Sequence, residues 1–295
     1  MQDELRLPEY SGSLLRGNFG AALRRTACMT GLPVCSRCPL YRTCPYPAIF
    51  ETPAPETHSL QRFSQVPNPY VVEPPPLGTR HVPAGEVFSL AMVLVGRALD
   101  QLPLIVYALQ RAFSSGIGRL RARGSLVDIA LEGPDGAESV WDAENSSVGT
   151  YEQKLSVPFL PDIDAVTLNI LTPLRLQNQG HRVSLDRLQP RTLFAALLRR
   201  TSLLFELHAA LPGLAGDARR LAAAAASLVD ERRLQWKDWT RFSSRQDQEM
   251  TLGGVIGEWT LSGDLGDLLP WFWLGQWLHV GKNATMGMGR YSLKW

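Results

Sequence analysis

The second half of the chain changes its apolar period in an order that predicts a complete unit. Val166, Leu168 and Ile170 alternate with polar neighbours, as in a half-buried strand; after Pro190 the spacing becomes helical through Leu193, Phe194, Leu197, Leu198, Leu203, Leu204 and Leu207. An alanine-rich stretch from Leu221 to Leu228 extends the helical layer, with Asp217 expected to cap it. Two strand-like runs follow, around Leu234–Phe242 and Met250–Leu261, then a helix over Leu265–Leu278 and a last strand over Gly289–Trp295. The order is β-α-β-β-α-β.

The first half repeats that order less cleanly. Glu4–Leu7 reads as a short strand, and Ser13 as the cap of a helix carrying Leu15, Phe19, Ala22 and Leu23 on one face. A strand begins over Pro69–Val72, Gly85–Val95 alternates like a second, Pro103 opens a helix over Leu104–Phe113, and Gly116-Ile117-Gly118 turns the chain into a strand around Leu126–Leu131. The economical architecture is α+β: two tandem ferredoxin-like (βαββαβ) domains, residues 1–145 and 146–295, with a Cys-rich and then Pro-rich insertion at about 28–83 in the first. Each domain has a glycine turn after its second helix, and the two turns are expected to flank a shared groove.

At 295 residues and 45% hydrophobic content, the chain is long enough for two cores. No apolar run reaches the roughly 20 residues that span a bilayer, and the opening residues are too charged for a signal peptide, so a soluble, cytoplasmic protein without a membrane partner is expected. A formal charge of +2 is too mild to indicate nucleic acid, but its distribution says more. Three windows lack any carboxylate. Residues 10–50 carry Arg16, Arg24, Arg25, Arg37 and Arg42; residues 101–127 carry Arg111, Arg119, Arg121 and Arg123; residues 268–295 carry Lys282, Arg290 and Lys294. Gathered on one side, they would form a positive face for phosphates, and arginine suits bidentate contacts.

The third window holds the richest motif, His279-Val280-Gly281-Lys282 to Gly287-Met288-Gly289-Arg290. Its glycines permit positive φ and close approach, and their N–H groups are expected to face an anion, though the spacing is not that of a P-loop. The bland alternative is a tight turn before the last strand.

All four cysteines, Cys28, Cys35, Cys38 and Cys44, share the spacing C-x6-C-x2-C-x5-C. Four thiols this close fit a closed, structural zinc site that orders a loop rather than activating water; an iron–sulfur cluster and unliganded packed thiols remain open.

The run from Leu7-Pro8-Glu9-Tyr10-Ser11-Gly12-Ser13 to Arg16-Gly17-Asn18-Phe19-Gly20, the cysteine cluster ending Cys44-Pro45-Tyr46 with Ile49-Phe50-Glu51-Thr52, and the terminal glycine motif together resemble the CRISPR-associated endoribonucleases that process precursor CRISPR RNA, members of the RAMP superfamily. Leu252-Gly253-Gly254-Val255-Ile256-Gly257 adds weaker support. The resemblance implies two ferredoxin-like folds holding CRISPR repeat RNA in a basic cleft. It also implies cleavage without a catalytic metal, by ribose 2′-OH attack leaving a 2′,3′-cyclic phosphate, and association of the mature crRNA with other Cas proteins in an effector complex. The alternative in another class is a non-catalytic RNA-binding subunit that scaffolds or caps the guide; a third reading is a zinc-dependent interaction module.

Many members of that family carry a histidine in or just after the first helix, and this chain has none before His58. Among His58, His81, His181, His208 and His279, the last adjoins the glycine loop and is the expected proton-transfer group, with Lys282 and Tyr41 completing the catalytic set. The RNA-binding set is Arg16, Arg24, Arg25, Arg119, Arg121, Arg123, Gly281, Lys282, Gly287, Gly289 and Arg290.

Overall fold

The structure, a computed structural model, describes residues 1–55, 66–133, 136–149, 156–178, 180–211, 217–243 and 248–295. Its elements run β1 (Leu5–Leu7), α1 (Gly12–Ala27), α2 (Pro45–Phe50), β2 (Tyr70–Glu73), β3 (Arg80–Val82), β4 (Ala91–Leu94), α3 (Leu102–Ser115), β5 (Asp128–Gly133), β6 (Gly136–Asp142), β7 (Ala165–Leu174), β8 (Gln177–Asn178), β9 (His181–Arg182), α4 (Pro190–His208), α5 (Ala218–Ala226), β10 (Val229–Ser243), β11 (Gln248–Ser262), α6 (Leu269–Leu278) and β12 (Tyr291–Lys294). No helix among the described residues is long and apolar enough to cross a membrane.

The second half forms one antiparallel four-stranded sheet in the order β10-β11-β7-β12. The period-2 pattern of β7 has the expected result: Val166, Leu168 and Ile170 are buried, and Trp259 and Leu261 of β11 join them. Leu193, Phe194 and Leu197 of α4 and Leu269 and Phe272 of α6 cover that face. Each large side chain so enclosed contributes about 2 kcal/mol. The glycines of Leu252–Gly257 make a bulge: the register against β7 shifts between Val255 and Gly257, and at φ +117° a Cβ on Gly257 would overlap the Arg233 carbonyl. Asp217 stands at the N-terminus of α5 but does not cap it, pairing with Arg220 (3.5 Å) instead.

The first half repeats the element order but pairs its strands two by two. β1 joins β3, and β2 joins β4. The strand expected near 126–131 is β5, which forms a hairpin with the unanticipated β6 rather than closing a sheet against β1. A hairpin partner adjacent in sequence costs little loop-closure entropy, which favours that local pairing. α1 begins two residues earlier than a Ser13 cap implied, with Ser11 at the N-cap position and no side-chain cap bond. Its apolar face, Leu15, Phe19 and Leu23, packs with Ile105, Ala108 and Phe113 of α3 over Tyr70 and Val72.

Two apolar clusters join the halves. Tyr10, Trp239, Leu252, Met286 and Met288 form one, and Val95, Leu204 and Leu278 the other.

Candidate nucleic-acid interface

α1 is the element on which the three carboxylate-free windows meet. It packs along α3. The tight turn after α3, bridged Ile117 to Ala122, brings Gly118 to 3.8 Å from the Arg6 carbonyl and from a Leu14 methyl, both measured from where a Cβ would stand. At the helix start Gly12 leaves room for the Met286 carbonyl, which also accepts the Tyr10 hydroxyl at 2.6 Å. The two glycine turns therefore flank the first turns of α1.

Arg16 is the most constrained cation there. Its guanidinium lies 4.1 Å from the Phe50 ring centre and 5.9 Å from that of Tyr70. Phe50 in turn stacks with Tyr46 (5.6 Å) and Tyr70 (5.8 Å), and it reaches this place because Gly20 has no Cβ to collide with the ring. The Arg16 Nε and the Tyr70 hydroxyl are enclosed without a hydrogen-bond partner among the described residues. Burial pushes the Tyr70 hydroxyl upward in pKa, with Arg16 working against it, so Tyr70 stays protonated at neutral pH.

The other expected cations divide. Arg25, Arg119, Arg121 and Lys282 are exposed, and none of the four forms an ion pair with a carboxylate among the described residues. Arg24 is turned to the cysteine loop, donating to the carbonyls of Leu32 (2.6 Å) and Pro33 (2.9 Å). Arg123 pairs with Asp3 at 3.0 Å, and Arg290 lies 3.6 Å from Glu73.

The glycine loop departs most from expectation. Gly287 and Gly289 are buried, and their N–H groups donate to the carbonyls of Ala284 (2.8 Å) and Pro173 (3.1 Å) rather than facing an anion. Their φ values are +86° and +71°; a Cβ on Gly287 would press on the Val72 carbonyl, and one on Gly289 would overlap that of Val280. Gly281, at φ +89°, faces the Arg175 carbonyl. The loop is a packed seam rather than a clasp, because Met286 and Met288 bury themselves against Tyr10 and Trp239.

His279 is corrected with it. The imidazole is completely enclosed: Nε2 is 2.8 Å from the Glu73 carboxylate and Nδ1 is 3.2 Å from the Met288 carbonyl. Burial lowers its pKa, and this outweighs the opposing pull of Glu73, so the ring is neutral and has a single N–H to donate to one of these two oxygens. With both nitrogens engaged and no exposed edge, it has no route to a scissile phosphate. Nearby, Arg200 donates to the Leu278 carbonyl at 2.7 Å, and burial holds its guanidinium down at about 10.

Tyr41 turns inward within the cysteine loop, its hydroxyl donating to the Glu51 carbonyl at 3.4 Å. His208 is buried with Nε2 2.9 Å from the Pro67 carbonyl. His181 is exposed, His81 is exposed and 3.1 Å from Glu4, and His58 lies outside the described residues. The four thiols are free and half-buried; among the described residues no three His, Cys, Asp or Glu side chains stand close enough to hold an ion as they are.

Glu73, Tyr70 and Phe50 were missed in the sequence. The available signal was a carboxylate closing an otherwise apolar strand, Tyr70-Val71-Val72-Glu73, which requires a buried partner.

Both halves of the chain resemble known proteins. Residues 168–291 match the family model for the CRISPR-associated endoribonuclease Cas6, and residues 1–153 match the AF_1859_N N-terminal domain model. Similar solved structures include a Cas6 product complex (18% identity, TM-score 0.58, covering 99% of this chain and 97% of that one) and the Thermus thermophilus Cas6 (18%, 0.51, 99% and 96%). A partial Cas6-RT-Cas1–Cas2 complex also matches (13%, 0.52), over all of this chain and 44% of that one. At these identities the structures show a shared fold. No curated protein matches the chain.

Proposed function

We propose that this chain is a CRISPR-associated endoribonuclease of the Cas6 type, a reading supported by the match of residues 168–291 to that family model, and that it takes the repeat of precursor CRISPR RNA across the first turns of α1 and cuts it there to give crRNA. The observation that carries this reading is the meeting of three carboxylate-free windows at α1, with Arg16, Arg119, Arg121 and Lys282 free of carboxylate partners among the described residues. The open face of the four-stranded sheet is a poor rival. Its Arg233 is paired with Glu231 (3.3 Å) and its Lys294 with Glu258 (3.2 Å), leaving no unpaired cation between them for phosphate.

The finer chemistry belongs to the same proposal. Attack by the ribose 2′-OH on the adjacent phosphate needs alignment and a cation for the phosphorane charge, and no metal. Arg16, held by its aromatic stack, is suited to that charge, with Lys282 as second cation. An exposed imidazole close to the basic turn is that of His81, which stands opposite Arg6 on the strand paired with β1, and the Arg6 carbonyl is the one that approaches Gly118. The architecture is read likewise: the order β10-β11-β7-β12 is that of a ferredoxin-like unit, which supports two such domains divided near residue 145, the first loosened by its insertion. Retention of the product and contact with other Cas proteins follow the relatives solved as a product complex and with Cas1–Cas2.

A second reading, a guide-binding subunit without cleavage, is favoured by one observation: α1 has no histidine and His279 is enclosed. Incubating the protein with repeat RNA in EDTA separates them. Discrete products ending in a cyclic phosphate support the nuclease, and tight binding without products supports the scaffold. Arg16→Ala and Lys282→Ala should each weaken binding and reduce the slope of log affinity against log salt by about 1. Unchanged slopes in both variants would remove α1 as the phosphate track.

A further inference from the structure

We propose that Cys28, Cys35, Cys38 and Cys44 bind one zinc ion as four thiolates, and that this ion, through α2, fixes the aromatic platform under Arg16. The first ground is what the loop lacks. No residue from 29 to 43 is buried. Met29 is 87% exposed, Val34 46% and Leu32 40%, so the excursion has no apolar core, and its innermost members are the cysteines and Tyr41. A segment this long, with one short 3-10 turn and nothing buried, needs a cross-link to keep one shape.

The second ground is where the sulfurs stand. Cys28 is the C-terminal cap of α1 and Cys44 the N-terminal cap of α2; Cys35 opens the short 3-10 turn between them and Cys38 closes it. The Thr30 hydroxyl is 3.4 Å from the Cys38 sulfur, and the Cys44 sulfur stands 3.9 Å from the carbonyl of Ala27, the residue before Cys28. The four sulfurs lie on one short stretch between the end of α1 and the start of α2, and among the described residues they do not stand at ligating distance as they are. Binding would contract the loop around the ion, each ligating thiol releasing its proton to solvent. A closed all-sulfur tetrahedron suits zinc.

The consequence runs along α2. Its Phe50 lies flat on Gly20 and beneath the Arg16 guanidinium, so fixing both ends of the loop fixes the angle of Arg16. This last step rests on the RNA reading; the metal site itself does not.

The test uses the full chain purified without chelators or a metal-affinity tag. Elemental analysis should give about one zinc per chain, and Co²⁺ exchange should give the visible bands and thiolate charge transfer of a tetrahedral sulfur site. Cys35→Ser and Cys38→Ser should lose the metal. Should those variants fail to fold, thiol counting on the unaltered protein decides: four thiols masked until a chelator is added supports the site. Substoichiometric zinc with four freely reactive thiols, iron in place of zinc, or disulfides in the native protein would each overturn it. Repeat RNA is measured separately. A stoichiometric zinc whose removal leaves RNA affinity unchanged keeps the site and sinks only its link to Arg16.

Discussion

Glu73 brings a carboxylate to the seam between the halves, and His279 and Arg290 are what make that tolerable. Truncating His279 to Ala leaves Glu73 with only Arg290 at 3.6 Å, so a loss of stability of about 3 kcal/mol is expected, measured by urea unfolding. The single-turnover rate of the fraction still folded should not change. A slowed reaction at full stability would restore His279 to the chemistry. The pH dependence has a definite sign. His279 and His208 both titrate below the ordinary imidazole range in the folded state, chiefly through burial, so the unfolded chain binds more protons. Their contribution is complete above about pH 6.5 and is lost as pH falls through the region below it. Stability that failed to decline between about pH 6.5 and 5 would contradict the buried neutral rings. None of this was legible from position 279 alone, because the partner that encloses the ring stands 206 residues away.

At the scale of elements, the glycines of α1 and of the terminal loop do opposite work. Gly289 is required by its own backbone: at φ +71°, with a Val280 carbonyl where a Cβ would go, Gly289→Ala should cost about 2 kcal/mol or more by thermal denaturation. Gly17 sits mid-helix and exposed, and a Cβ there would meet nothing. Gly17→Ala should therefore stabilise the protein by about 1 kcal/mol. If RNA passes over α1, the same change should weaken repeat binding while the melting temperature rises; stronger stability with unaltered affinity would place the RNA elsewhere. The sequence disclosed these elements unevenly, for a physical reason. The β7–β12 unit was readable because its periods are long and its sheet is closed by four strands. The first half was not, since β1, β2, β3 and β4 have only three or four residues each and β5 found a neighbour in β6 that the turn-rich segment concealed. The terminal loop advertised its glycines but not their purpose: positive φ serves tight packing as well as anion binding, and only the burial of Met286 and Met288 distinguishes them.

On the scale of the whole molecule, buried contacts join the halves at several places, so they are expected to unfold together. Trp239 of β10 lies 4.6 Å from the Tyr10 ring in the loop between β1 and α1, Lys237 pairs with Glu9 at 2.7 Å, and the Tyr10 hydroxyl donates to the Met286 carbonyl at 2.6 Å. Leu204 and Leu278 meet Val95 on another side, and the Glu73–His279 bond lies between. Severing one of these joins should weaken both halves. Trp239→Ala removes a large enclosed ring at the seam and leaves a cavity against Tyr10, at an expected cost of about 3 kcal/mol. Native-state hydrogen exchange is the appropriate measurement, since it reads α1 and β7 independently. Because the ring spans the seam, protection should fall by similar factors in both elements, although Trp239 belongs to only one of them. If β7 lost protection while α1 kept it, the seam would be a contact between two independently stable domains, and the RNA track at their junction would owe its shape to the bound polyanion instead of to the folded chain.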